Sequence, residues 1–294
     1  MKKYILVFLT LFLSVGGFII AWQGSYFNKV ARSILLLPNK QMASVAAVVS
    51  SPFYYTFKID GILDEAGKMN NSSSPYFWLN SGGLFYLKNG IGKTIQGELS
   101  QFNKWRLAYA ISNPIDTDNG YYPQNIFRLV TRSKWQNFSQ EAYFKITKMN
   151  MSASVNRDVS NGILLFNRYQ DGNNLYYAGI RVDGQAVVKK KINGDYYTIG
   201  ISPVFKGEDN RQSNPNLLPE NVWLGLRSEI TTNGNEVMIK LFIDKENNGE
   251  WQLALEAKDD GKSYGGAAIL DEGHAGIRTD FMDAEFDNYR IVDN

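Results

Sequence analysis

The sequence of 294 residues contains no cysteine and a single histidine, His274. The chain therefore forms no disulfide and has no thiol nucleophile, and it lacks the several Cys or His ligands of the usual zinc sites. Proline is also scarce, with 8 residues, against 26 glycines, 17 tyrosines and 17 phenylalanines. Because aromatic residues favour strands and glycines favour turns, this composition indicates an all-β protein with a substantial core.

Positive charge is concentrated near the N-terminus. Five lysines and arginines precede position 53, and no acidic residue does. Removing these five charges from the formal net charge of +2 leaves −3 for residues 53–294. A mildly acidic domain without a basic stripe is a poor nucleic-acid binder, so we exclude nucleic acid as a partner.

The N-terminal segment has the pattern of an export signal. Lys2 and Lys3 precede the apolar run Tyr4–Trp22, and no charge follows before Lys29. A run of about 19 apolar residues is long enough either for a signal peptide or for a membrane span. We predict a signal peptide or membrane anchor over residues 1–28 and a linker over 29–52. The rest would be extracytoplasmic, either secreted or held at the membrane by this segment alone.

From Phe53 onward the pattern is that of strands separated by turns. The clearest stretch lies within residues 161–200, where Asp-Gly and Asn-Gly pairs separate strand-like segments. These pairs supply the positive φ angles of tight hairpins, so we predict a four-strand antiparallel meander. Its strands are Gly162–Tyr169, Leu175–Val182, Gln185–Ile192 and Asp195–Gly200. Further predicted strands are Ile126–Arg132, Glu141–Thr147, Trp223–Glu229, Val237–Ile243, Trp251–Glu256 and Ala284–Val292.

Alternation along these strands predicts two packed sheets. In Leu175–Val182, every second residue from Tyr176 is apolar or aromatic, while Tyr177 and Arg181 lie opposite. Several other strands also pair an apolar face with a face of Arg, Lys and Tyr. We therefore predict a two-sheet antiparallel sandwich over residues 53–294, without a long amphipathic helix after residue 60.

The motifs of this region resemble the concanavalin A-like lectin/glucanase superfamily, especially its laminin G-like members. They include Asn161–Asp171, the pair Tyr176-Tyr177, and the late segment Gly273–Arg278 followed by Phe286–Tyr289. The resemblance covers residues 53–294. It implies a jelly-roll sandwich with a curved sheet whose concave face often binds carbohydrate. The superfamily contains lectins, glycosidases, lyases and protein-binding modules, so it does not define one function.

Aromatic and basic residues on a polar sheet face suit carbohydrate. Aromatic rings stack on sugar rings, and arginine binds hydroxyls or carboxylates. The sequence thus predicts a cell-surface protein that binds a polysaccharide or other glycan. The alternative is that these side chains merely cover the outer sheet. The candidate ligand-binding residues are Arg128, Tyr143, Lys145, Arg168, Tyr169, Tyr177 and Arg181, with ambiguous alternation at Arg168 and Tyr169.

A polysaccharide-degrading enzyme, either a glycoside hydrolase or a uronate lyase, is the alternative function. Laminarinase-type glucanases carry a Glu-x-Asp-x-Glu strand, whereas here Glu285, Asp287 and Tyr289 occupy that pattern. Period-two alternation places these three on one face, without the second glutamate. A lyase would combine Arg128 and Gln124 with a tyrosine such as Tyr143 or Tyr177. No recognised catalytic motif decides the question.

Two acidic turns suggest structural calcium. Asp244, Glu246 and Asn248 present oxygen ligands at alternate positions before Gly249, and Asp116–Gly120 is a shorter version. Asn-Gly hairpins use the same residue types without metal, so both interpretations stay open. The resemblance adds Asp287 as a further candidate ligand near the last strand. We expect one structural calcium ion or none, and no other cofactor.

Overall fold

The computed structural model describes residues 42–294; the predicted signal or anchor over residues 1–28 lies outside them. No helix within residues 42–294 is both long enough and hydrophobic enough to cross a bilayer. The described part of the predicted linker has no secondary structure, but it contacts the following domain. The backbone N–H of Ser44 donates to Ser72 O and that of Ala47 to Pro75 O, each at 3.0 Å. Residues 44–47 therefore lie against the folded domain.

The domain consists of two antiparallel sheets, one short α-helix and two 3₁₀ helices, Met69–Asn71 and Pro123–Asn125. The helix α1 (Lys104–Ser112) lies between the fifth and sixth strands. In chain order the strands are β1 (Phe53–Tyr55), β2 (Gly61–Asp64), β3 (Phe77–Ser81), β4 (Leu84–Lys88), β5 (Ile91–Lys93), β6 (Ile126–Trp135), β7 (Phe138–Met149), β8 (Gly162–Asp171), β9 (Asn174–Arg181), β10 (Gln185–Ile192), β11 (Asp195–Pro203), β12 (Leu224–Asn233), β13 (Glu236–Asp244), β14 (Gln252–Asp259), β15 (Gly273–Asp280) and β16 (Met282–Asp293).

The two sheets confirm the predicted all-β sandwich. One has nine strands, in the order β14-β13-β12-β7-β16-β5-β4-β2, with β1 also paired to β16. The other has seven, in the order β11-β10-β9-β8-β15-β6-β3. The predicted meander is present as β8 to β11, with consecutive strands adjacent. The placement in the concanavalin A-like superfamily stays a prediction.

The core between the sheets follows the predicted alternation. On β9, Tyr176, Ala178 and Ile180 belong to this core, and Phe127 and Leu129 of β6 join them. The alternate residues of the seven-stranded sheet consequently point outward, away from the nine-stranded sheet.

A buried polar network crosses this core at two strand irregularities. The pairing of β15 shifts register between His274 and Gly276, and that of β8 after Asn167. Gln140 of the facing sheet donates to Phe166 O at 2.5 Å and to Asn167 Oδ1 at 3.1 Å. Its Oε1 accepts from Gly276 N at 3.3 Å and from the Tyr289 hydroxyl at 3.0 Å. Gln140 thereby bonds backbone groups beside both irregularities, as buried polar groups require.

Candidate ligand-binding site

The outer face of the seven-stranded sheet carries an apolar layer, which we call the floor. Its side chains alternate with those of the core along β6, β8, β9 and β10, and all of them are buried. Phe166 and Tyr169 stack with their ring centroids 5.4 Å apart. Long side chains above the floor cover it, as lysine and arginine stems commonly do. The floor consists of Val130, Leu164, Phe166, Tyr169, Leu175, Tyr177 and Val187.

Four of the cations on this outer face lie close to one another, and we call these four the basic patch. It consists of Arg128, Lys189, Lys191 and Arg278, all partly buried. Strand register determines their placement, because Arg128 of β6 lies directly opposite Arg278 of β15. Lys189 is likewise paired with Tyr177 of β9. Cross-strand neighbours on one face interact, so the patch is a local concentration of positive charge.

Tyr196 of β11 lies at the edge of the patch and is about half exposed, at 49%. Its ring meets that of Tyr177 edge to face, with centroids 6.2 Å apart. The Lys191 ammonium lies 4.6 Å from the Tyr196 ring centroid. Two tyrosines and several cations therefore border a common depression, which is lined by Arg128, Phe166, Tyr169, Gly172, Leu175, Tyr177, Lys191, Tyr196 and Arg278.

The depression is shallow, with a cavity volume of about 10 Å³. That is about the space of one water molecule, so the site does not enclose a small molecule. A ligand would instead lie across the surface, with a substituent directed between the side chains.

Arg278 and Arg128 differ in their pairing. The Nε of Arg278 lies 2.9 and 3.0 Å from the two carboxylate oxygens of Asp280. Among residues 42–294, no side-chain hydrogen bond and no ion pair involves the Arg128 guanidinium. Burial, and then the charge of Arg278, lower the pKa of Arg128, and the charge of Asp280 offsets part of this shift. The positive charge of Arg128 is therefore energetically unfavourable at this position, and a bound anion would stabilise it.

The tyrosines of the site differ in acidity. Burial raises the pKa of Tyr177 above its ordinary value. Burial also acts to raise the pKa of Tyr196, but the positive charges of Arg278 and Lys191 outweigh it and lower that pKa. The Tyr196 phenol is therefore the stronger acid of the two, and it is stabilised by the same charges that would attract an anion.

The structure brings together three of the seven predicted ligand-binding residues, namely Arg128, Tyr169 and Tyr177. A fourth, Arg181, lies on the same sheet, where its guanidinium pairs with Asp183 at 2.6 Å. Sequence reasoning missed Arg278, although it ends the quoted Gly273–Arg278 motif. It also missed Lys191 and Tyr196, which become neighbours only through the β10–β11 register.

The prediction for Arg168 needs correction, because this side chain is fully buried. Its guanidinium donates to Gln136 O and Ile269 O, each at 2.8 Å, and also to Asn137 Oδ1 and Thr232 Oγ1. A φ of +49° at Arg168 accompanies the irregularity in β8 and breaks the alternation there. Arg168 is therefore a structural residue that connects loops, and it does not reach the outer face.

Tyr143 and Lys145 belong to the opposite side of the sandwich. They point outward from β7 of the nine-stranded sheet, so they cannot share a site with Arg128. The Tyr143 hydroxyl donates to Asp244 Oδ2 at 2.9 Å, and its ring lies 5.8 Å from that of Trp251. Lys145 pairs with Glu285. The predicted set is thus divided between two surfaces, because alternation identifies faces but not which sheet a strand joins.

The predicted lyase combination is not assembled. Gln124 is fully buried and donates to Asp283 Oδ1 at 2.8 Å and to Gly97 O at 2.9 Å. It therefore does not reach the outer face with Arg128 and Tyr177, and Tyr143 lies on the other sheet.

The glucanase-like strand also differs from expectation. A register shift in β16 between Asp287 and Arg290, with a φ of +50° at Asn288, turns Tyr289 into the core. Tyr289 thus does not share a face with Glu285. Although burial alone would raise it, the pKa of Glu285 is lowered by Lys145 and Lys93. A carboxylate held ionised between two lysines is a poor general acid.

The Asp244 loop is closed by hydrogen bonds to its own backbone. The Asp244 carboxylate accepts from Gly249 N at 2.8 Å and from Glu246 N and Asn248 N at 3.2 Å. With the Tyr143 hydroxyl as a further donor, both oxygens of Asp244 are engaged. Asp287, the other candidate ligand, accepts from Asn288 N at 2.7 Å. Within residues 42–294 no three acidic or histidine side chains converge as a metal cluster. Structural calcium stays an untested prediction.

The sequence matches no protein-family model, and no characterised protein sequence reaches a significant match. Solved structures of β-sandwich proteins show a weak similarity. A carbohydrate-binding module from Bacillus subtilis is 17% identical with a TM-score of 0.40, over 57% of this chain and 81% of that one. Winged bean acidic lectin, complexed with methyl-α-D-galactose, is 9% identical with a TM-score of 0.46, over 82% and 97%. Bacillus licheniformis β-glucanase is 10% identical with a TM-score of 0.43, over 84% and 100%. At these values the similarities carry no argument about function.

Proposed function

We propose that this protein is an exported, cell-surface glycan-binding β-sandwich that binds its ligand on the outer face of the seven-stranded sheet. The observation that carries the proposal is the convergence of Arg128, Tyr196 and Arg278 around Tyr177 of the floor. These residues come from four different strands. Export rests on the sequence pattern of residues 1–28.

The chemistry of this face suits a sugar polymer. Sugar rings combine apolar C–H faces with hydroxyl rims, so they pair with aromatic rings beside multivalent hydrogen-bond donors. Tyr196 offers an exposed ring, and the guanidinium groups of Arg128 and Arg278 offer donors. The shallow shape favours an extended chain that crosses several strands over a small enclosed molecule.

Substitution of exposed tyrosines tests this proposal. Tyr196→Ala should weaken binding to the best ligand of a glycan array about fivefold, since loss of an aromatic contact costs about 1 kcal/mol. Tyr54→Ala is the matched control, because Tyr54 is 58% exposed on the nine-stranded sheet. Titration calorimetry measures both affinities. Absence of binding to every glycan, or equal losses in both variants, would contradict the proposal.

A uronate lyase is the second candidate, and the lowered pKa of Tyr196 is the observation that favours it. A Tyr196 phenolate would remove the proton α to the uronate carboxylate. The C4–O bond would then break, a C4–C5 double bond would form, and the departing oxygen would take a proton. Ultraviolet absorbance of unsaturated uronate products tests this activity. No absorbance change with uronate polymers at any pH near neutrality would exclude it.

A further inference from the structure

We propose that the glycan bound at this face carries an oxyanion substituent, a carboxylate or a sulfate, and that Arg128 is the residue that recognises it. This inference rests on the proposed function and specifies the ligand class of that same site. The inference specifies that the ligand is negatively charged. An aromatic sugar-binding face alone would accept a charged or a neutral glycan.

Arg128 differs from three other outward arginines, each of which is paired with a carboxylate, and from Arg132, which bonds Ser44 and Ser74. Arg278 pairs with Asp280 and Arg181 with Asp183, while Arg227 on the other sheet contacts Glu141 at 2.6 Å. Arg128 is partly buried beside Arg278, and among residues 42–294 no carboxylate lies within ion-pair distance of it. The charge of Asp280, which is bonded to Arg278, offsets only part of the effect of burial and of Arg278 on Arg128. A partly desolvated charge beside a like charge is unfavourable unless an anion accompanies it.

The neighbouring lysines add to the excess of positive charge. Lys191 Nζ donates to Gly172 O at 2.8 Å, which is a neutral acceptor. Burial, and then the charge of Arg181, lower the pKa of Lys189. Within the basic patch the only ion pair among described residues is that of Arg278 with Asp280. The patch therefore keeps unneutralised positive charge on a chain segment that is otherwise acidic.

The geometry fits an oxyanion better than a neutral hydroxyl. A guanidinium presents parallel N–H donors that match two oxygens of a carboxylate or sulfate. Arg128 and Arg278 lie opposite each other on adjacent strands, so one anion can lie near both. The depression has a cavity volume of about 10 Å³, the space of about one water molecule, so the anionic group would contact the arginines at the surface and not inside an enclosed pocket.

Matched polymers that differ only in charge test the inference. Oligogalacturonate is compared with its methyl ester, and dextran sulfate with dextran, by titration calorimetry on the full chain in detergent. We expect at least one charged form to bind tenfold or more tightly than its neutral parent. The pair that shows the difference identifies the source as carboxylate or sulfate. The preference should weaken with added salt, because screening acts on partly exposed charges.

Arg128→Gln should abolish this preference and leave the weak affinity for the neutral parent. Lys240→Gln is the control, because it removes one positive charge from the exposed surface of the nine-stranded sheet. Arg128→Lys keeps the charge but loses the paired donors, and it should retain part of the preference. Melting curves identify any variant that fails to fold, and Arg128→Lys then provides the comparison.

Equal affinity for charged and neutral forms in both pairs would overturn the inference. Equal losses in Arg128→Gln and Lys240→Gln would also overturn it, because they would indicate a nonspecific response to net charge. In both cases binding to a neutral glycan would leave the proposed function intact. Failure to bind any glycan would instead reject the proposed function.

Discussion

The three consecutive lysines 189–191 occupy different environments, because alternation along β10 turns the middle one to the opposite face. Lys189 and Lys191 point toward the outer face, whereas Lys190 is fully buried. Its ammonium lies 2.9 Å from Asp259 Oδ2 and donates to Gly266 O and Ala267 O. Since Asp259 belongs to the nine-stranded sheet, this pair connects the two sheets.

Lys190→Met should destabilise the domain by about 3–5 kcal/mol, because it leaves Asp259 as a buried charge without its cation. Urea unfolding measures the change. Adding Asp259→Asn should recover part of the loss by removing the unpaired charge. Lys258→Met is the control; its exposed pair with Glu236 should contribute about 1 kcal/mol or less. Equal effects of the two lysine variants would refute this account.

Asp244 is predicted to stabilise its loop through hydrogen bonds. Asp244→Ala removes the acceptor for three backbone N–H groups and the Tyr143 hydroxyl, which should cost about 1–3 kcal/mol. The loss should be the same in calcium and in chelator, as measured by thermal melting. A calcium-dependent rise in Tm that Asp244→Ala abolishes would assign calcium to this loop. A rise that only Asp287→Ala abolishes would assign calcium to the last strand.

At the level of single residues, the sequence identifies strand faces well except at irregularities. Phe127 and Leu129 lie in the core, as their alternation predicts. Arg168 and Tyr289 do not follow the predicted faces, because each lies beside a register shift. A bulge inverts the alternation of the residues that follow the bulge. No residue type in those segments predicts the bulge.

Among the elements, α1 is attached to β2 and the β3–β4 turn through a buried carboxyl group. The Tyr109 hydroxyl donates to Glu65 Oε2 at 2.5 Å, and Gly83 N donates to the same oxygen at 2.8 Å. Burial is the largest effect and raises the pKa of Glu65 to about 7, despite these hydrogen bonds. The protonated carboxyl group is thus favoured in the folded protein.

A pH dependence of stability follows from that shift. The folded state holds the Glu65 proton more tightly than the unfolded state, whose pKa is near 4.5. The stabilisation of the folded state by this proton is complete below about pH 4.5 and decreases as pH rises through about 7. Glu65→Gln should therefore remove a pH-dependent change in the free energy of unfolding of about 3 kcal/mol over this range. Urea unfolding at several pH values measures it, and an unchanged slope would contradict the assignment.

The elements that the sequence does not predict are the short ones. Apart from β15, which only the motif Gly273–Arg278 indicated, the strands from β6 onward are close to prediction, since they are long, alternating and bounded by turn residues. The strands β1 to β5 have three to five residues each. Such lengths show too little periodicity to be recognised, and α1, with nine residues, is similarly brief.

At the scale of the whole molecule, the candidate site is a product of strand order. Arg128 and Arg278 are far apart in sequence, and only the pairing of β6 with β15 places them side by side. Tyr196 joins them through the meander. The sequence predicts the residue types of a sugar-binding face, but not the sheet on which they meet, because pairing partners are set by long-range packing.

The central claim is that a glycan binds the outer face of the seven-stranded sheet. A crystal structure of the protein with the tightest ligand from a glycan array tests it most directly. We predict that the sugar chain crosses the sheet from β11 toward β15 and β6, with one ring against Tyr196 and its anionic group at Arg128 and Arg278. A ligand seated on the opposite outer surface, beside Tyr143 and Trp251, would contradict the claim.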